Sequence, residues 1–339
     1  MKTTIKEVAK NAGVSIATVS LVVNNNERIS PETRRKVLRS IKNLNYTPTK
    51  SARNLASQKT GNIGFILTSD HFLRTEPFYT RIFLGCEFEA REGEYYILLT
   101  TVKSDYDSEY PLPRFVLDKS VDGIIVAGKI PDALIKKLSG SNIPLVFVDY
   151  EPQNGSYPMI LIDNVSGGMQ ATEYLVGLGH TKIGFIAGDI NHPSIKERLN
   201  GYKAALEKAG INFKQDLVIC ESPYPDRYNG YLTAQKLIER CNNITAIFAC
   251  NDAMAIGAMQ FLRDKGYKIP QDVSVVGFDD VEADLMIDPP LTTIRVPKIE
   301  LGVESFRVMV QMLKQKNTVS KKILIPIELI VRKSTQSIK

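Results

Sequence analysis

The chain has 339 residues, and its 43 Lys and Arg against 37 Asp and Glu give a formal net charge of +6. This length predicts two or three domains with sizeable cores, and the composition is that of an ordinary globular protein. We predict a cytoplasmic protein with no membrane partner, because no stretch approaches the roughly 20 apolar residues that span a bilayer. The basic N-terminus also lacks the apolar region and cleavage site of a signal peptide.

Positive charge is concentrated at the N-terminus. Residues 1–60 hold 12 Lys and Arg and 3 Asp and Glu, a net charge of +9, whereas the other 279 residues hold 31 and 34, a net charge of −3. A basic segment joined to a near-neutral body is typical of a protein that binds a polyanion. Because each neutralised phosphate releases counterions, we expect this segment to bind DNA with a steep salt dependence.

The first 24 residues predict a helix, a tight turn and a second helix. Thr4 and Glu7 have the spacing of a capping box at the start of the first helix, and Gly13 suits a turn that needs a positive φ. Ser15 is a suitable N-cap for a second helix over residues 16–24. These elements form a helix-turn-helix, which lays its second helix in the major groove of double-stranded DNA.

The outward face of the predicted second helix carries no charge. Its three valines fall on one side and should pack on the first helix. The residues left pointing outward are Ile16, Ala17, Ser20 and Leu21. Small and apolar side chains make a poor solvated surface, but they can contact thymine methyl groups. The alternative interpretation is a helical hairpin with no role in nucleic-acid binding.

A third helix completes the predicted head. Ser30 is its N-cap, Pro31 suits its first position, and Tyr46-Thr47-Pro48 ends the helical segment. Its apolar stripe consists of Val37, Leu38, Ile41 and Leu44.

A polar linker over residues 49–60 contains one short amphipathic turn with Ala52 and Leu55 on the same side. Such a short helix is marginal alone, so we expect it to form only when two copies pair or when DNA supports it. Leu55 is either a leucine that covers the next domain or a wedge that unstacks a base step in the minor groove.

From residue 62 onward, short apolar strands alternate with amphipathic helices. The predicted strands are 63–67, 96–100, 123–126, 145–148, 160–162, 183–187, 217–220, 246–249 and 273–276, and the helices between them include 79–91, 165–178, 196–208, 228–240 and 253–265. This alternation predicts parallel sheets covered by helices, and nine or more strands favour two doubly wound subdomains.

Ligands of such sheets bind at the carboxyl ends of the strands, so the polar residues that follow each strand are the site candidates. They are Thr68-Ser69-Asp70, Asp149, Asp163-Asn164, Asn251-Asp252 and Asp279-Asp280. Their carboxylates and amides suit a polyhydroxylated or similarly polar small molecule. Arg198 could donate to ligand oxygens, although a surface salt bridge is its simplest interpretation.

The α/β body could also belong to an enzyme, but the sequence carries no catalytic motif that we recognise. The glycines of segment 177–184 precede a strand, whereas a dinucleotide-binding fingerprint needs a strand, glycines and a helix in that order. His180, one of three histidines, is predicted to cap the preceding helix as a cation. The cysteines, predicted to be small buried free thiols, are Cys86, Cys220, Cys241 and Cys250. We therefore predict no catalytic residue, no cofactor and no metal site.

Motifs along nearly the whole chain resemble those of the lac repressor/gal repressor (LacI/GalR) family of bacterial transcription regulators. They are Ile5-Lys6-Glu7-Val8-Ala9, Gly13-Val14-Ser15, Ala17-Thr18-Val19-Ser20, Val22-Val23-Asn24, Tyr46-Thr47-Pro48, Ala52-Arg53-Asn54-Leu55, Gly179-His180, Arg198-Leu199-Asn200-Gly201, Asn251-Asp252 with Ala255-Ile256-Gly257, Val275-Val276-Gly277-Phe278-Asp279-Asp280 and Pro290-Leu291-Thr292-Thr293-Ile294. The resemblance implies a helix-turn-helix head and a periplasmic-binding-protein-like α/β body.

The resemblance also implies roles for individual residues. DNA contacts are implied for Thr4, Ser15, Ile16, Ala17, Thr18, Leu21, Asn24, Tyr46, Ala52 and Leu55, the last as a hinge-helix wedge. Effector contacts are implied for Phe78, Tyr79, Asp149, Arg198, Tyr224, Asn251 and Asp279. The alignment around Tyr224 is loose. The position of Leu21 is frequently an arginine that reads guanine in the family, so leucine should shift specificity towards thymine methyl groups or DNA shape.

The implied domains are a DNA-binding head at 1–47, a hinge at 48–61 and an effector-binding and dimerisation domain at 62–339. Within the last, the N-subdomain is expected at about 62–161 and 292–322, and the C-subdomain at about 162–291 and 323–339. No leucine heptads follow the last strands, so we expect a homodimer on a pseudo-palindromic operator and no tetramer.

Three functions remain open at this point. The first is a repressor of a carbohydrate-utilisation operon that a sugar effector releases from DNA. The second is a regulator that needs a corepressor, either a purine or a phosphorylated protein partner. The third is a cytoplasmic binding protein or enzyme with a vestigial head.

Overall fold

A computed structural model describes residues 3–23, 28–46, 59–70, 77–153, 156–221, 224–241, 243–315 and 320–338. The predicted fold class is confirmed. A small helical head precedes two α/β subdomains, each built on a six-stranded sheet of mainly parallel strands.

The head consists of α1 (Ile5–Ala12), α2 (Ile16–Val23) and α3 (Pro31–Asn43). Its predicted caps are present. Thr4 and Glu7 form a reciprocal capping box on α1, Gly13 has φ 66°, and Ser15 Oγ accepts a 3.1 Å hydrogen bond from the Thr18 amide. Local sequence therefore defines where these short helices begin, and a shared core holds them together.

The core of the head is centred on Val8, Val19 and Val37, which are fully buried. The predicted stripe of α3 is wrong at one position, since Leu38 is 50% exposed. Besides Val37, α3 buries Ser40, whose hydroxyl donates a 3.1 Å hydrogen bond to the Val8 carbonyl.

The first subdomain holds a fully parallel sheet in the order β11-β5-β4-β3-β1-β2. Its strands are β1 (Asn62–Thr68), β2 (Tyr96–Val102), β3 (Gly123–Ala127), β4 (Leu145–Val148), β5 (Met159–Ile162) and β11 (Lys322–Ile325). Its helices are α4 (Phe78–Glu92), α5 (Arg114–Leu117), α6 (Asp132–Ser139) and α11 (Lys298–Gln315).

The second subdomain holds a sheet in the order β12-β10-β9-β8-β6-β7, in which only the edge strand β12 runs antiparallel. Its strands are β6 (Ile183–Ile186), β7 (Val218–Ile219), β8 (Ala246–Ala249), β9 (Ser274–Asp279), β10 (Thr292–Arg295) and β12 (Glu328–Ile330). Its helices are α7 (Asn164–Gly177), α8 (Pro193–Lys208), α9 (Arg227–Arg240) and α10 (Asp252–Asp264).

The chain crosses between the subdomains at points that differ from the expected boundaries. Residues 292–295 form β10 of the second sheet, so the chain returns to the first subdomain at 296–297, not at 292. Residues 322–325 form β11 of the first sheet, so the last crossing lies at 326–327. The sequence pattern predicts no strand at 292–295 or 322–325, so the expected boundaries took no account of the pairing of β10 and β11.

Apolar residues bury the inner strands of both sheets, as parallel strands covered on both faces require, whereas the edge strands β2, β11 and β12 are partly exposed. In the described part of the chain, no helix combines the length and the apolar character needed to cross a membrane.

Candidate nucleic-acid interface and effector cleft

The outward face of α2 carries exposed apolar side chains, as the sequence predicted. Ile16 is 44% exposed and Leu21 is 38% exposed, and Ser15 and Ala17 are exposed beside them. Val19 and Val22 of the same helix are buried against the head core. The helix therefore presents an uncharged, largely apolar surface, while α3 carries the basic residues Arg34, Arg35, Lys36, Arg39 and Lys42.

Two further DNA-contact candidates lie elsewhere on the head. Thr4 is exposed, but its amide and hydroxyl both donate to Glu7 Oε2, over 2.7 and 3.1 Å. Tyr46 is buried in the head core rather than displayed beside α2. Thr18 is half-buried and its hydroxyl lies 2.9 Å from Ser15 Oγ. The remaining candidates, Asn24, Ala52 and Leu55, lie outside the described residues, as does the predicted hinge turn.

A cavity of about 510 Å³ lies between the carboxyl ends of the two sheets. All seven predicted effector residues line it, and they come from both subdomains: Phe78, Tyr79, Asp149, Arg198, Tyr224, Asn251 and Asp279. The rule that ligands bind where parallel strands end indicated three of these seven, Asp149, Asn251 and Asp279, whereas only the family resemblance implied the other four. Five other post-strand candidates do not line the cavity: Ser69, Asp163, Asn164, Asp252 and Asp280.

On the first-subdomain side, Tyr79 donates a 2.9 Å hydrogen bond to Asp149 Oδ2, and both side chains are buried. Burial raises the pKa of Asp149 to about 6, while Arg198 and the Tyr79 hydrogen bond act in the opposite direction. The Phe78 ring meets the Tyr79 ring edge-on at 5.1 Å. An acidic acceptor thus sits beside an aromatic wall.

On the second-subdomain side, Arg198 is buried and fixed from several directions, so the surface salt bridge considered from the sequence is wrong. Its Nε donates to Asn164 Oδ1 over 2.9 Å, and its Nη1 donates to the Cys250 carbonyl over 2.6 Å. The guanidinium lies 3.6 Å from the centre of the Phe278 ring. Gly168 lets α7 approach α8 here, since a Cβ on it would lie 2.2 Å from the Arg198 carbonyl oxygen.

The other charged group on this side is Asp279, which ends β9 with φ 121°. Its Oδ1 lies 3.8 Å from Arg198 Nη1. Burial raises the pKa of Asp279 to about 7, even though Arg198 opposes the shift. Asp279 and Asp149 therefore both titrate near neutral pH.

Asn251 is the N-cap of α10, and both ends of its amide are engaged. Its Oδ1 accepts from the Met254 amide over 3.0 Å, and its Nδ2 donates to the Pro225 carbonyl over 2.8 Å. It thereby ties α10 to the loop that carries Tyr224, a half-buried aromatic residue of the cavity wall.

Sequence reasoning missed several polar residues of the wall. They include Ser104, Lys129, Asp132, Glu151, Gln153, Asp189, Asn191, His192, Ser194 and Asp226. Asp189 and Asn191 lie in the loop after β6, which ends at Ile186, so a post-strand rule extended over that loop could have found them. In the described lining, seven carboxylates face two permanent cations, Lys129 and Arg198.

Two other sequence expectations concern residues outside the cleft. His180 is not a cationic helix cap, because its ring is buried, approaches Thr245 Oγ1 at 3.0 Å and the Gln336 carbonyl at 3.1 Å, and burial lowers its pKa. Cys86 and Cys250 are buried free thiols, whereas Cys220 and Cys241 are only partly buried. Among the described residues, no three or more His, Cys, Asp and Glu side chains are grouped so that they could hold a metal ion.

Comparison with family models gives two matches. Residues 60–333 match the periplasmic binding proteins and sugar binding domain of the LacI family, and residues 4–49 match the bacterial regulatory proteins of the lacI family.

Individual relatives match over almost the full length. The transcriptional repressor PurR of Mannheimia succiniciproducens is 34% identical over 337 residues, covering 99% of each chain. A transcriptional regulator CelR–cellobiose complex is 31% identical, with TM-score 0.75 over 98% of this chain and 100% of that chain. A lac repressor dimer bound to operator and the anti-inducer ONPF is 28% identical, with TM-score 0.80 over 99% and 100%.

Proposed function

Because the chain belongs to the LacI family of DNA-binding bacterial transcriptional regulators, we propose that it is a repressor that leaves its operator when an uncharged sugar occupies the cleft. The observation that carries this proposal is the pairing of buried carboxylates with aromatic rings in one cavity between two subdomains. Such a regulator acts on the chromosome, so we place it in the cytoplasm, and we assign it no catalytic role.

The cleft chemistry suits a sugar. Asp149 and Asp279 can accept hydrogen bonds from hydroxyl groups, and they approach a ligand from opposite subdomains. The rings of Phe78 and Tyr224 can cover the apolar face of a pyranose. The similarity to the CelR–cellobiose complex supports a sugar on independent grounds.

The charge of the cleft favours an uncharged ligand over a phosphorylated one. Seven carboxylates line the described wall, and the field of so many like charges repels an anion. The charge of Arg198 is partly offset by Asp279, whose Oδ1 lies 3.8 Å from Nη1, so Arg198 attracts a phosphate group less strongly than an unpaired arginine would. This argument applies equally to sugar phosphates and nucleotides.

Release from DNA follows from linkage. A sugar that contacts both subdomains stabilises their closed arrangement, and operator DNA must prefer the other arrangement for the sugar to act as an inducer. We propose that the chain forms a homodimer and that the change of arrangement is transmitted across its interface. Both subdomains expose large apolar side chains that a partner protomer could cover. These are Phe88 and Tyr96 in the first subdomain and Tyr228, Leu285 and Met286 in the second.

A purine corepressor is the second candidate effector. A nucleobase is uncharged and flat, so it could stack on the same aromatic rings, and a relative bearing the name PurR keeps this alternative open. The two candidates differ in sign, since a corepressor would tighten DNA binding whereas an inducer would weaken it.

A ligand panel tests the proposal. The purified full chain is heated with cellobiose, ribose, glucose, glucose 6-phosphate, guanine and hypoxanthine, and the melting temperature is recorded. We expect a neutral sugar to raise it and glucose 6-phosphate to leave it unchanged. The DNA upstream of the gene for this protein is then titrated with protein with and without the stabilising compound. A nucleobase that alone stabilises the chain and tightens DNA binding would replace the sugar proposal with the corepressor.

A further inference from the structure

Two fully buried carboxyl groups outside the cleft wall converge on one backbone amide. Asp252 is the first residue of α10, and Asp284 lies in the short 3₁₀ turn Glu282–Leu285. The Val281 nitrogen donates to Asp252 Oδ2 over 3.1 Å and to Asp284 Oδ2 over 3.0 Å. Both Oδ2 atoms accept from the same nitrogen, so the two carboxyl groups lie side by side.

Asp252 is held rigidly in this place. The Thr293 hydroxyl donates to its Oδ1 over 2.6 Å. Gly277 of β9 allows the approach, because a Cβ on this residue would lie 2.1 Å from the same oxygen. The Asp252 carboxyl cannot turn away from Asp284 without breaking these contacts.

Nearby positive charge is largely committed to other groups. Arg332 Nη1 lies 3.8 Å from Asp284 Oδ2, but its Nη2 forms an ion pair with Asp280. Lys298 Nζ donates to the carbonyls of Asp280 and Val296 over 3.2 and 3.3 Å. Asp279 is also near the pair, because the Asp252 charge contributes to raising the pKa of Asp279. Among the described residues, none forms a hydrogen bond with Asp284 Oδ1, which is buried.

We propose that Asp252 and Asp284 share one proton in the folded protein, and that this proton fastens the 282–285 turn to the start of α10. Two carboxylates buried side by side cannot both be ionised at acceptable cost, whereas a protonated one donates a strong hydrogen bond to the other. Burial, and then the Asp252 charge, raise the pKa of Asp284 well above its usual range.

The location gives the shared proton a role. Asp252 directly follows Asn251, which lines the cleft and caps α10, and Asp284 directly precedes the exposed Leu285 and Met286. The pair therefore joins an effector-site residue to the apolar turn that we assign to the dimer surface. This role rests on the proposed function, whereas the shared proton itself does not.

Unfolding by urea between pH 5 and pH 8 tests whether Asp252 and Asp284 share a proton. The wild-type chain is compared with Asp284→Asn, whose amide can still donate to Asp252, and with Glu282→Gln, which changes an exposed acid of the same turn. The folded wild type holds a proton that the unfolded chain has lost at these pH values, so it loses stability relative to Asp284→Asn as the pH rises. We expect the ratio of their unfolding constants to change about tenfold per pH unit. Glu282→Gln should parallel the wild type.

Two further measurements keep the test decisive. Infrared spectra of the wild type at pH 8.5 should show the carbonyl stretch of a protonated carboxylic acid, whatever the variants do. Asp284→Ala, which removes the donor, should unfold at lower urea than Asp284→Asn at pH 8. The proposal is overturned if the acid band is missing or if the wild type and Asp284→Asn have parallel pH profiles. It is also overturned if added CaCl₂ raises the urea midpoint of the wild type but not of Asp284→Asn, because the two carboxylates would then hold a cation and not a shared proton. None of these results depends on DNA or sugar binding.

Discussion

The hydroxyl of Tyr79 donates a 2.9 Å hydrogen bond to the Asp149 carboxylate, and both groups are buried at the edge of the cleft. Burial alone would favour a neutral Asp149, and its pKa is raised to about 6. The Tyr79 hydrogen bond opposes this shift, since it stabilises the ionised form. Asp149 is thereby kept as a charged acceptor at neutral pH.

Replacement of Tyr79 by Phe should therefore destabilise the chain in a pH-dependent way. The buried carboxylate loses a donor, which costs about 1–3 kcal/mol when Asp149 is ionised. The folded-state pKa of Asp149 is raised, so its proton favours the folded chain at low pH and that contribution is lost as the pH rises through about 6. The stability difference between Tyr79→Phe and wild type should thus be larger at pH 8 than at pH 5.

Urea unfolding at the two pH values measures this difference. Tyr150→Phe is the matched control, because Tyr150 is also buried in the cleft wall but has no hydrogen bond to a carboxylate within the described chain. Equal losses for Tyr79→Phe at both pH values would contradict the assigned role of the hydrogen bond.

Sugar binding should weaken at acidic pH. The pKa values of Asp149 and Asp279 are raised to about 6 and about 7, so both carboxylates gain protons between pH 8 and pH 5. A ligand whose hydroxyls donate to the ionised groups binds less well when these groups are protonated. Calorimetric titration with the sugar selected from the panel should show proton release on binding at pH 6.5. Asp279→Asn should reduce the pH dependence of the sugar affinity in the upper part of the range from pH 5 to pH 8. A sugar affinity that is constant across this range would contradict the contacts proposed here.

Arg198→Lys should weaken the response to sugar while leaving DNA binding in place. Lysine cannot donate simultaneously to Asn164 and to the Cys250 carbonyl, and it does not stack on Phe278 as a guanidinium does. We expect sugar affinity to fall by about tenfold or more, which corresponds to losing one hydrogen bond to a charged group. Arg307→Lys is the control, because Arg307 pairs with Glu89 on the exposed surface. Full induction of the Arg198→Lys variant would show that the guanidinium does not form part of the effector site.

Leu21→Arg should change the preferred half-site without unfolding the head. Leu21 is exposed on α2, so an arginine can be accommodated there and can reach guanine in the major groove. Selection of binding sites from randomised DNA should enrich guanine at one position of each half-site. Leu38→Arg is the control, since Leu38 is also exposed but lies on α3 and not on α2. An unchanged selection profile for Leu21→Arg would remove Leu21 from the base-reading surface.

Local sequence signals were sufficient for the head and for most of the sheets. The capping box at Thr4, the turn at Gly13 and the caps at Ser15 and Ser30 depend on neighbouring residues only, and each is present in the structure. The carboxyl ends of buried strands likewise indicated Asp149 and Asp279, because topology brings all such ends to the same edge.

Features that depend on distant parts of the chain could not be predicted. The burial of Arg198 depends on the close approach of α7 and α8 and on the Cys250 carbonyl, 52 residues away in sequence. The meeting of Asp252 with Asp284 depends on the path of the chain after β9, which no periodic pattern encodes. Strand β10 was misassigned for a related reason, since its membership of the second sheet follows from pairing with β9 and β12.

Operator affinity, measured with and without a saturating sugar, tests the central claim most directly. The full chain is titrated onto fluorescent DNA from its own upstream region at fixed salt concentration, first alone and then with the sugar that raises its melting temperature. We predict that the sugar weakens DNA binding at least tenfold, and that operator DNA weakens sugar binding by the same factor, as linkage requires. An operator affinity that stays the same when the cleft is saturated would contradict control of DNA binding by the cleft.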